Sequence, residues 1–147
     1  TTDTPTSLTV DDPVAGLVDV IGINKYYGWY IPWRCEPKDF VWNVRFAKPV
    51  IFSEFGSEAL YGKHGDPNDP TQWNEEYQAR NYRNNIAMLP NIPNLAGTTP
   101  WVLFDFRSPY RMNGKYQEEW NRKGLISDKG HRKMAWYVLK AYYDSIP

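Results

Sequence analysis

The sequence predicts an α/β fold built on parallel strands, and three observations carry that expectation. Three short apolar runs recur along the chain, each closed by polar residues. Helical periodicity separates and follows them. Long segments rich in aromatic and charged residues come after each run. The runs cover residues 17–23, closed by Asn24; residues 49–52, closed by Ser53-Glu54; and residues 95–103, closed by Phe104-Asp105-Phe106. Nearly continuous apolar runs suit strands buried on both faces, as in a parallel sheet, whereas half-exposed antiparallel strands alternate. Parallel strands are therefore expected near 17–24, 48–54 and 95–103.

The helices follow from spacing. Ala79, Tyr82, Ile86 and Leu89 recur at intervals of three and four, which predicts a helix over 72–89. Thr71 is its candidate N-cap, Glu75 and Glu76 suit the first turns, and Pro90 closes it. Ala135, Val138, Leu139 and Tyr142 repeat the pattern over 131–144. A shorter helix is expected within 36–46, and residues 1–13, rich in Thr and ending in Asp-Asp-Pro, read as an irregular entry segment. Strands alternating with helices call for a parallel sheet with helical crossovers. In α/β barrels the catalytic groups sit at the C-terminal ends of the strands, which is where the polar closures fall here. Three units are too few to close an eight-stranded barrel, so residues 1–147 read as a single partial domain.

Composition narrows the partners. With 17 basic and 17 acidic residues the formal charge is zero, which argues against a surface that tracks phosphates and so against nucleic acid. No apolar run approaches the roughly 18 residues a membrane span needs, and no signal-peptide pattern opens the sequence; localisation stays undecided. The single cysteine, Cys35, excludes an internal disulfide and a cysteine-based zinc site. Aromatic residues make up 16%, including seven Trp and eleven Tyr. Rings of this kind either fill a core or pack against the C–H face of a pyranose while their polar ends bond its hydroxyls.

Four groups carry candidate chemistry. Glu54 directly follows a buried run, and a carboxylate placed there is costly unless something pairs with it or uses it; the alternative is a surface glutamate just past a strand. The segment 24–30, Asn-Lys-Tyr-Tyr-Gly-Trp-Tyr, offers Asn24, Tyr26 and Tyr30 to orient a carboxylate and sugar hydroxyls, while Tyr27 and Trp29 serve equally well as core plugs. Trp101 is a candidate platform for a sugar ring, and Asp105 reads as a residue that bonds backbone in the turn. Asn121-Arg122-Lys123-Gly124 is a basic cluster that reads either as a site or as a solvated turn.

Taken in order, these segments resemble the C-terminal part of the catalytic barrel of glycoside hydrolase family 2, nearest its β-glucuronidase-like branch. The resemblance runs from about residue 11 to the end, through Asp-Val-Ile-Gly-Ile-Asn-Lys-Tyr-Tyr-Gly-Trp-Tyr (19–30), Lys-Pro-Val-Ile-Phe-Ser-Glu-Phe-Gly (48–56), Glu-Glu-Tyr-Gln (75–78), Pro-Trp-Val-Leu-Phe-Asp-Phe (100–106) and Asn-Arg-Lys-Gly-Leu-Ile-Ser (121–127). It implies that the three strands are the sixth to eighth of a (β/α)8 barrel. It makes Glu54 the catalytic nucleophile, has Asn24, Tyr26 and Tyr30 line the sugar pocket, and has Trp101 pack near the bound ring. Asn121 and Lys123 match an Asn-x-Lys pair that reads a uronate carboxylate, a role for which an ammonium beside an amide is chemically suited. An arginine that accompanies this pair in some relatives is replaced by Gln117, leaving Arg107 and Arg111 as candidates to compensate.

Retaining glycosidases need two carboxylates about 5–5.5 Å apart. The resemblance puts the acid/base Glu, in an Asn-Glu pair after the fourth strand, ahead of residue 1. Asn74-Glu75 has the right letters but lies in the first turn of a predicted helix, so it is set aside. The reading that follows is part of a retaining, exo-acting hydrolase of terminal β-glycosides, most closely a β-glucuronidase, inactive without its acid/base. A β-galactosidase is the alternative substrate class, and a non-catalytic carbohydrate-binding or structural half-barrel is the alternative of another kind. The expected partners are a β-glycoside and the remainder of the barrel, or a second copy; no metal or organic cofactor is implied.

Overall fold

The computed structural model describes residues 1–146. They form two compact units that exchange segments: Thr1–Phe55 with Asn84–Pro100, and Gly56–Arg83 with residues from Trp101 onward.

The first unit contains two three-stranded sheets. In one, β3 (Ile21–Asn24), β5 (Val50–Glu54) and β6 (Leu95–Thr98) run parallel in the order β3-β5-β6. The central strand is β5, and its Val50 and Phe52 are completely buried. Ile21 pairs with Val50 and Ile23 with Phe52, and an irregularity after Ile23 then sets Asn24 against Glu54. The parallel strands expected from the apolar runs are thus present. The outer two are shorter than expected. Residues 17–20 lie outside β3: Leu17 caps a 3-10 turn at Pro13–Gly16 and is 86% exposed. The third strand ends at Thr98: Thr99 N still makes the ladder bond to Phe52 O (3.1 Å), and Pro100 then has no N–H to continue it.

The other sheet corrects two expectations. Residues 1–13 are not irregular: β1 (Thr2–Asp3) pairs antiparallel with β2 (Ser7–Val10), which runs parallel to β4 (Val41–Val44). Leu8 and Val10 alternate inward with Ser7 and Thr9, the period of two that a half-buried strand requires. The helix expected within 36–46 is only a 3-10 turn at Pro37–Asp39 that leads into β4. β-Branched Val41 and Val44 with Trp42 suit a pleated surface better than a helix.

The second unit holds the antiparallel pair β7 (Phe106–Arg107) and β8 (Trp120–Asn121), the helix α2 (Met134–Asp144), and the start of α1 (Glu75–Met88), whose C-terminal turns belong to the first unit. Helix α1 does not begin at Thr71. Residues Pro70–Gln72 form a 3-10 turn capped by Asp69, and Trp73 then takes a left-handed conformation (φ 53°) that no helix accommodates. The cap is Asn74, whose Oδ1 accepts from Tyr77 N at 2.7 Å. Helix α2 starts three residues later than expected, because Ser127 Oγ accepts the amides of Lys129 and His131 and holds 127–131 in a turn. Among the described residues no helix is long and apolar enough to cross a membrane.

The buried ring of Phe52 is central to β5, so Phe52→Ala should lower unfolding free energy by about 3–5 kcal/mol. A urea unfolding curve that shifts by less than about 1 kcal/mol would remove β5 from the core.

Candidate functional site

In the first unit, the side chains named from the sequence converge on Glu54. Its carboxylate leaves the C-terminal end of β5, and Tyr26, in the loop after β3, donates its hydroxyl to Glu54 Oε2 at 2.8 Å. The backbone is tied at the same point, since Lys25 N donates to Glu54 O at 2.9 Å. Tyr30 stands beside Tyr26, ring centroids 5.2 Å apart, and is 57% exposed. Ser53 Oγ donates to Asn24 Oδ1 at 2.6 Å, which fixes the amide on the neighbouring strand. Glu54 is only half-buried. A phenol that fixes one carboxylate oxygen at a strand end, with exposed polar and aromatic groups around it, is an arrangement suited to a directed nucleophile or a ligand-binding anion.

Tyr27 and Trp29 were open between core and site. Tyr27 is core: it is 3% exposed, packs on Phe40 and Trp33, and donates to Asp3 Oδ1 at 3.1 Å. Burial, aided by Asp3, pushes its phenol well above the ordinary range. Asp3 also pairs with Lys25, so the entry segment anchors the loop that carries Tyr26.

In the second unit, Asn121-Arg122-Lys123-Gly124 is not a solvated turn. Asn121, Arg122 and Lys123 are all buried, at 3%, 6% and 1% exposure. The backbone of 102–105 lies alongside 123–126, with Leu125 N donating to Val102 O, Ile126 N to Leu103 O and Asp105 N to Ile126 O. Gly124 is required by that approach: a Cβ there would lie 2.1 Å from Asp105 N and 2.5 Å from Phe104 C. Asn121 Oδ1 accepts from Lys123 N at 3.0 Å. Trp101 is half-buried, meets Phe106 edge-on at 6.0 Å, and is joined to Val102 by a cis peptide.

The partner that holds Lys123 went unnoticed in the sequence. Glu58, 1% exposed, accepts Lys123 Nζ at 2.8 Å, Arg111 at 3.2 Å, Gln117 Nε2 at 3.1 Å and the amide of Arg122 at 3.2 Å. Of the two arginines considered as compensation for Gln117, Arg107 turns to Glu119 in an exposed pair and lies over Trp120, while Arg111 shares the carboxylate of Glu58 with Gln117 and Lys123. The one available signal was position: Glu58 lies four residues past Glu54, in a segment without helical or strand periodicity.

A second buried pair supports the loop from beneath. Lys133 is fully buried and spends its three N–H donors on Asp105 Oδ1 (2.8 Å), Ala59 O (2.6 Å) and Arg122 O (3.0 Å). Asp105 also accepts Gly124 N at 2.8 Å, so it is more than a turn residue. Burial pushes the Asp105 carboxyl up and the Lys133 ammonium down from their ordinary ranges, and their mutual attraction opposes both shifts. Glu75, set aside as an acid/base, has a structural duty: its carboxylate accepts Gly62 N (2.6 Å) and Met134 N (2.7 Å), the latter at the start of α2. Among the described residues no group of three or more His, Cys, Asp or Glu is arranged to hold a metal ion.

No family model matches the chain. Among curated proteins it is 31% identical over 145 residues to the β-glucuronidase of Streptococcus agalactiae, a match covering 92% of this chain and 23% of that protein. It is also 31% identical over 145 residues to the β-glucuronidase of Homo sapiens, covering 90% and 21%. Among solved structures, the β-glucuronidase of Ruminococcus gnavus matches with a TM-score of 0.73 at 27% identity, over 90% of this chain and 23% of that one. The GH2 β-galacturonidase of Eisenbergiella tayi, bound to galacturonate, matches with a TM-score of 0.72 over 88% and 24%; at 23% identity that likeness concerns the fold alone. The class these comparisons define is an α/β segment of the kind found in glycoside hydrolases. With β-glucuronidases as its curated relatives, of whose length it spans less than a quarter, the chain is similar to a fragment of a glycoside hydrolase family 2 domain.

Removing Lys133 should leave the buried Asp105 carboxylate with only Arg122, at 3.6 Å, as a cation. Lys133→Met is therefore expected to cost about 3–5 kcal/mol in unfolding free energy, far beyond an exposed lysine such as Lys140. Equal unfolding midpoints for the two substitutions would mean that the Asp105–Lys133 pair does not hold the loop.

Proposed function

We propose that this chain is the C-terminal part of the catalytic (β/α)8 barrel of a retaining, exo-acting β-glycoside hydrolase of the β-glucuronidase kind. Its strands β3, β5 and β6 would be the sixth to eighth of that barrel, and its partner the remainder of the barrel in a longer chain or a second copy. The observation that carries this reading is Glu54 itself, a carboxylate at the C-terminal end of a parallel strand, oriented by the 2.8 Å hydrogen bond from Tyr26. The β-glucuronidase relatives support the substrate class.

In this reading the Glu54 carboxylate attacks the anomeric carbon of a terminal β-linked sugar. A C–O bond forms to the enzyme as the glycosidic C–O bond breaks, and an acid/base carboxyl protonates the departing oxygen. Water, deprotonated by the same acid/base, then cleaves the glycosyl ester and restores Glu54. The Tyr26 hydroxyl holds one oxygen so that the other is aimed, and Asn24 and Tyr30 bond sugar hydroxyls. Trp101 packs on the sugar, while Asn121 and Lys123 read a carboxylate at C6. The reaction needs no metal or organic cofactor. The acid/base would come from outside this chain, since its own Asn74-Glu75 caps helices.

One observation favours the neutral-sugar alternative. Lys123 is sealed and neutralised by Glu58, which weakens it as a lone receptor for a uronate and keeps a β-galactoside as the second reading.

In the full-length protein, Glu54→Gln should abolish turnover of a nitrophenyl β-glucuronide while leaving sugar binding measurable by calorimetry. Substantial residual turnover would remove Glu54 as nucleophile, and binding without turnover in the wild type would favour a non-catalytic module. Lys123→Ala should cost about 2–4 kcal/mol in kcat/KM for the glucuronide and little for the matched galactoside. Equal losses on both would make Lys123 a support for the loop. A wild-type preference for the galactoside would move the assignment to that sugar.

A further inference from the structure

Ser53 has no register partner on either neighbouring strand. Ile23 pairs with Phe52 and Asn24 with Glu54, so Ser53 is the extra residue at the irregularity between β3 and β5. An irregularity of this kind re-aims the side chains beside it. The Ser53 hydroxyl is aimed at Asn24 and donates to Oδ1 at 2.6 Å, a separation usual for O–H···O and short for N–H···O. The oxygen of the Asn24 amide is thereby committed to the protein, which leaves its NH2 group. Asn24 is exposed, and among the described residues no acceptor meets that NH2.

The serine is itself held from both sides. Thr99 Oγ1 donates to Ser53 O at 2.9 Å and fixes its backbone from the side of β6. On the side of β3, Gly22 leaves room for the hydroxyl: a Cβ there would lie 3.3 Å from Ser53 Oγ and 3.8 Å from Ser53 Cβ. Glu54 is treated in the same manner, since the Tyr26 hydroxyl takes one of its two oxygens. Each hydroxyl occupies one end of a planar group and so decides what the other end presents.

We propose that Ser53 is a positioning residue that locks the Asn24 amide with its NH2 outward, so that Asn24 meets the sugar as a hydrogen-bond donor and reads a hydroxyl oxygen as acceptor. The proposal rests on the β-glycosidase reading above and deepens it. A free asparagine amide turns about its last bond and offers either its oxygen or its nitrogen. Anchoring the oxygen removes that ambiguity before the ligand arrives, so less ordering is left for binding. Ser53 acts through Asn24 and has no contact of its own with the sugar.

The test uses the full-length protein and the nitrophenyl β-glycoside that the wild type turns over best, with Ser53 variants measured in two backgrounds. Asn24→Ala should lower kcat/KM by about 10- to 100-fold. Ser53→Ala alone should lower it by about 3- to 10-fold. Ser53→Thr, which keeps the hydroxyl, should recover most of that loss. Combined with Asn24→Ala, Ser53→Ala should add less than about twofold, because the group it positions is gone. Gly22→Ala, which crowds the serine hydroxyl, should give a loss that likewise vanishes in the Asn24→Ala background. If Ser53→Ala matches the wild type, or lowers kcat/KM as much with Asn24→Ala as without it, the positioning role is overturned and the glycosidase reading stands. Wild-type kcat/KM in Asn24→Ala overturns it as well. A Glu54→Gln protein that keeps its turnover overturns the glycosidase reading, and the proposal with it. Should Ser53→Ala fail to fold, Gly22→Ala in the two backgrounds decides the matter.

Discussion

A carboxylate with 1% exposure must be neutralised where it stands, and Glu58 is neutralised entirely by the loop that runs from Arg111 to Lys123. Because breaking such a pair leaves an uncompensated charge in a low-dielectric interior, the cost falls on any movement of that loop. The positions of Gln117, the Arg122 amide and the Lys123 ammonium are all set by this one group. Beneath it, Lys133 repeats the principle with the charges exchanged: one ammonium, three acceptors, and Asp105 as counterion. Two buried pairs of opposite polarity therefore hold one short loop from two sides.

The loop could not occupy that place with another residue at 124. Its backbone passes so near Asp105 that a Cβ would sit 2.1 Å from an amide nitrogen. This closeness lets Asp105 Oδ1 accept the Gly124 amide and the Lys133 ammonium together. Buried ion pairs are weak evidence of stability, since well-packed apolar groups often do better, and their usual merit is to specify one arrangement. That is the merit visible here, where two basic residues next to each other in sequence are sent to different acidic partners: Arg122 to Asp128 and Asp105, Lys123 to Glu58.

Glu54 obeys a different constraint. It is half-buried, fixed by a neutral phenol rather than a cation, and carried on the central strand of the parallel sheet. A cation in the place of Tyr26 would hold the carboxylate more firmly and, in the role proposed for it, make it a poorer nucleophile. A hydroxyl orients one oxygen at modest cost. The neighbouring residue Tyr27, in the same loop, is turned into the core and bonded to Asp3, so adjacent tyrosines divide the work of anchoring and presenting.

The parallel strands and the two longer helices were legible in the sequence, because runs of apolar residues and helical spacing are local patterns. Boundaries were less legible. Thr71 looked like a cap until Trp73 in a left-handed conformation placed the helix start at Asn74. The segments 7–10 and 41–44 became strands only through pairing with each other across more than thirty residues. The roles of Glu58, Asp105 and Lys133 lay beyond the sequence for the same reason. Each depends on a partner between 28 and 65 residues away, and no local pattern announces a long-range ion pair. By itself the sequence indicated the parallel strands and the two longer helices, and it offered candidate site residues. Only the tertiary structure decided which charges neutralise one another, because that depends on distances of a few ångströms between residues far apart along the chain.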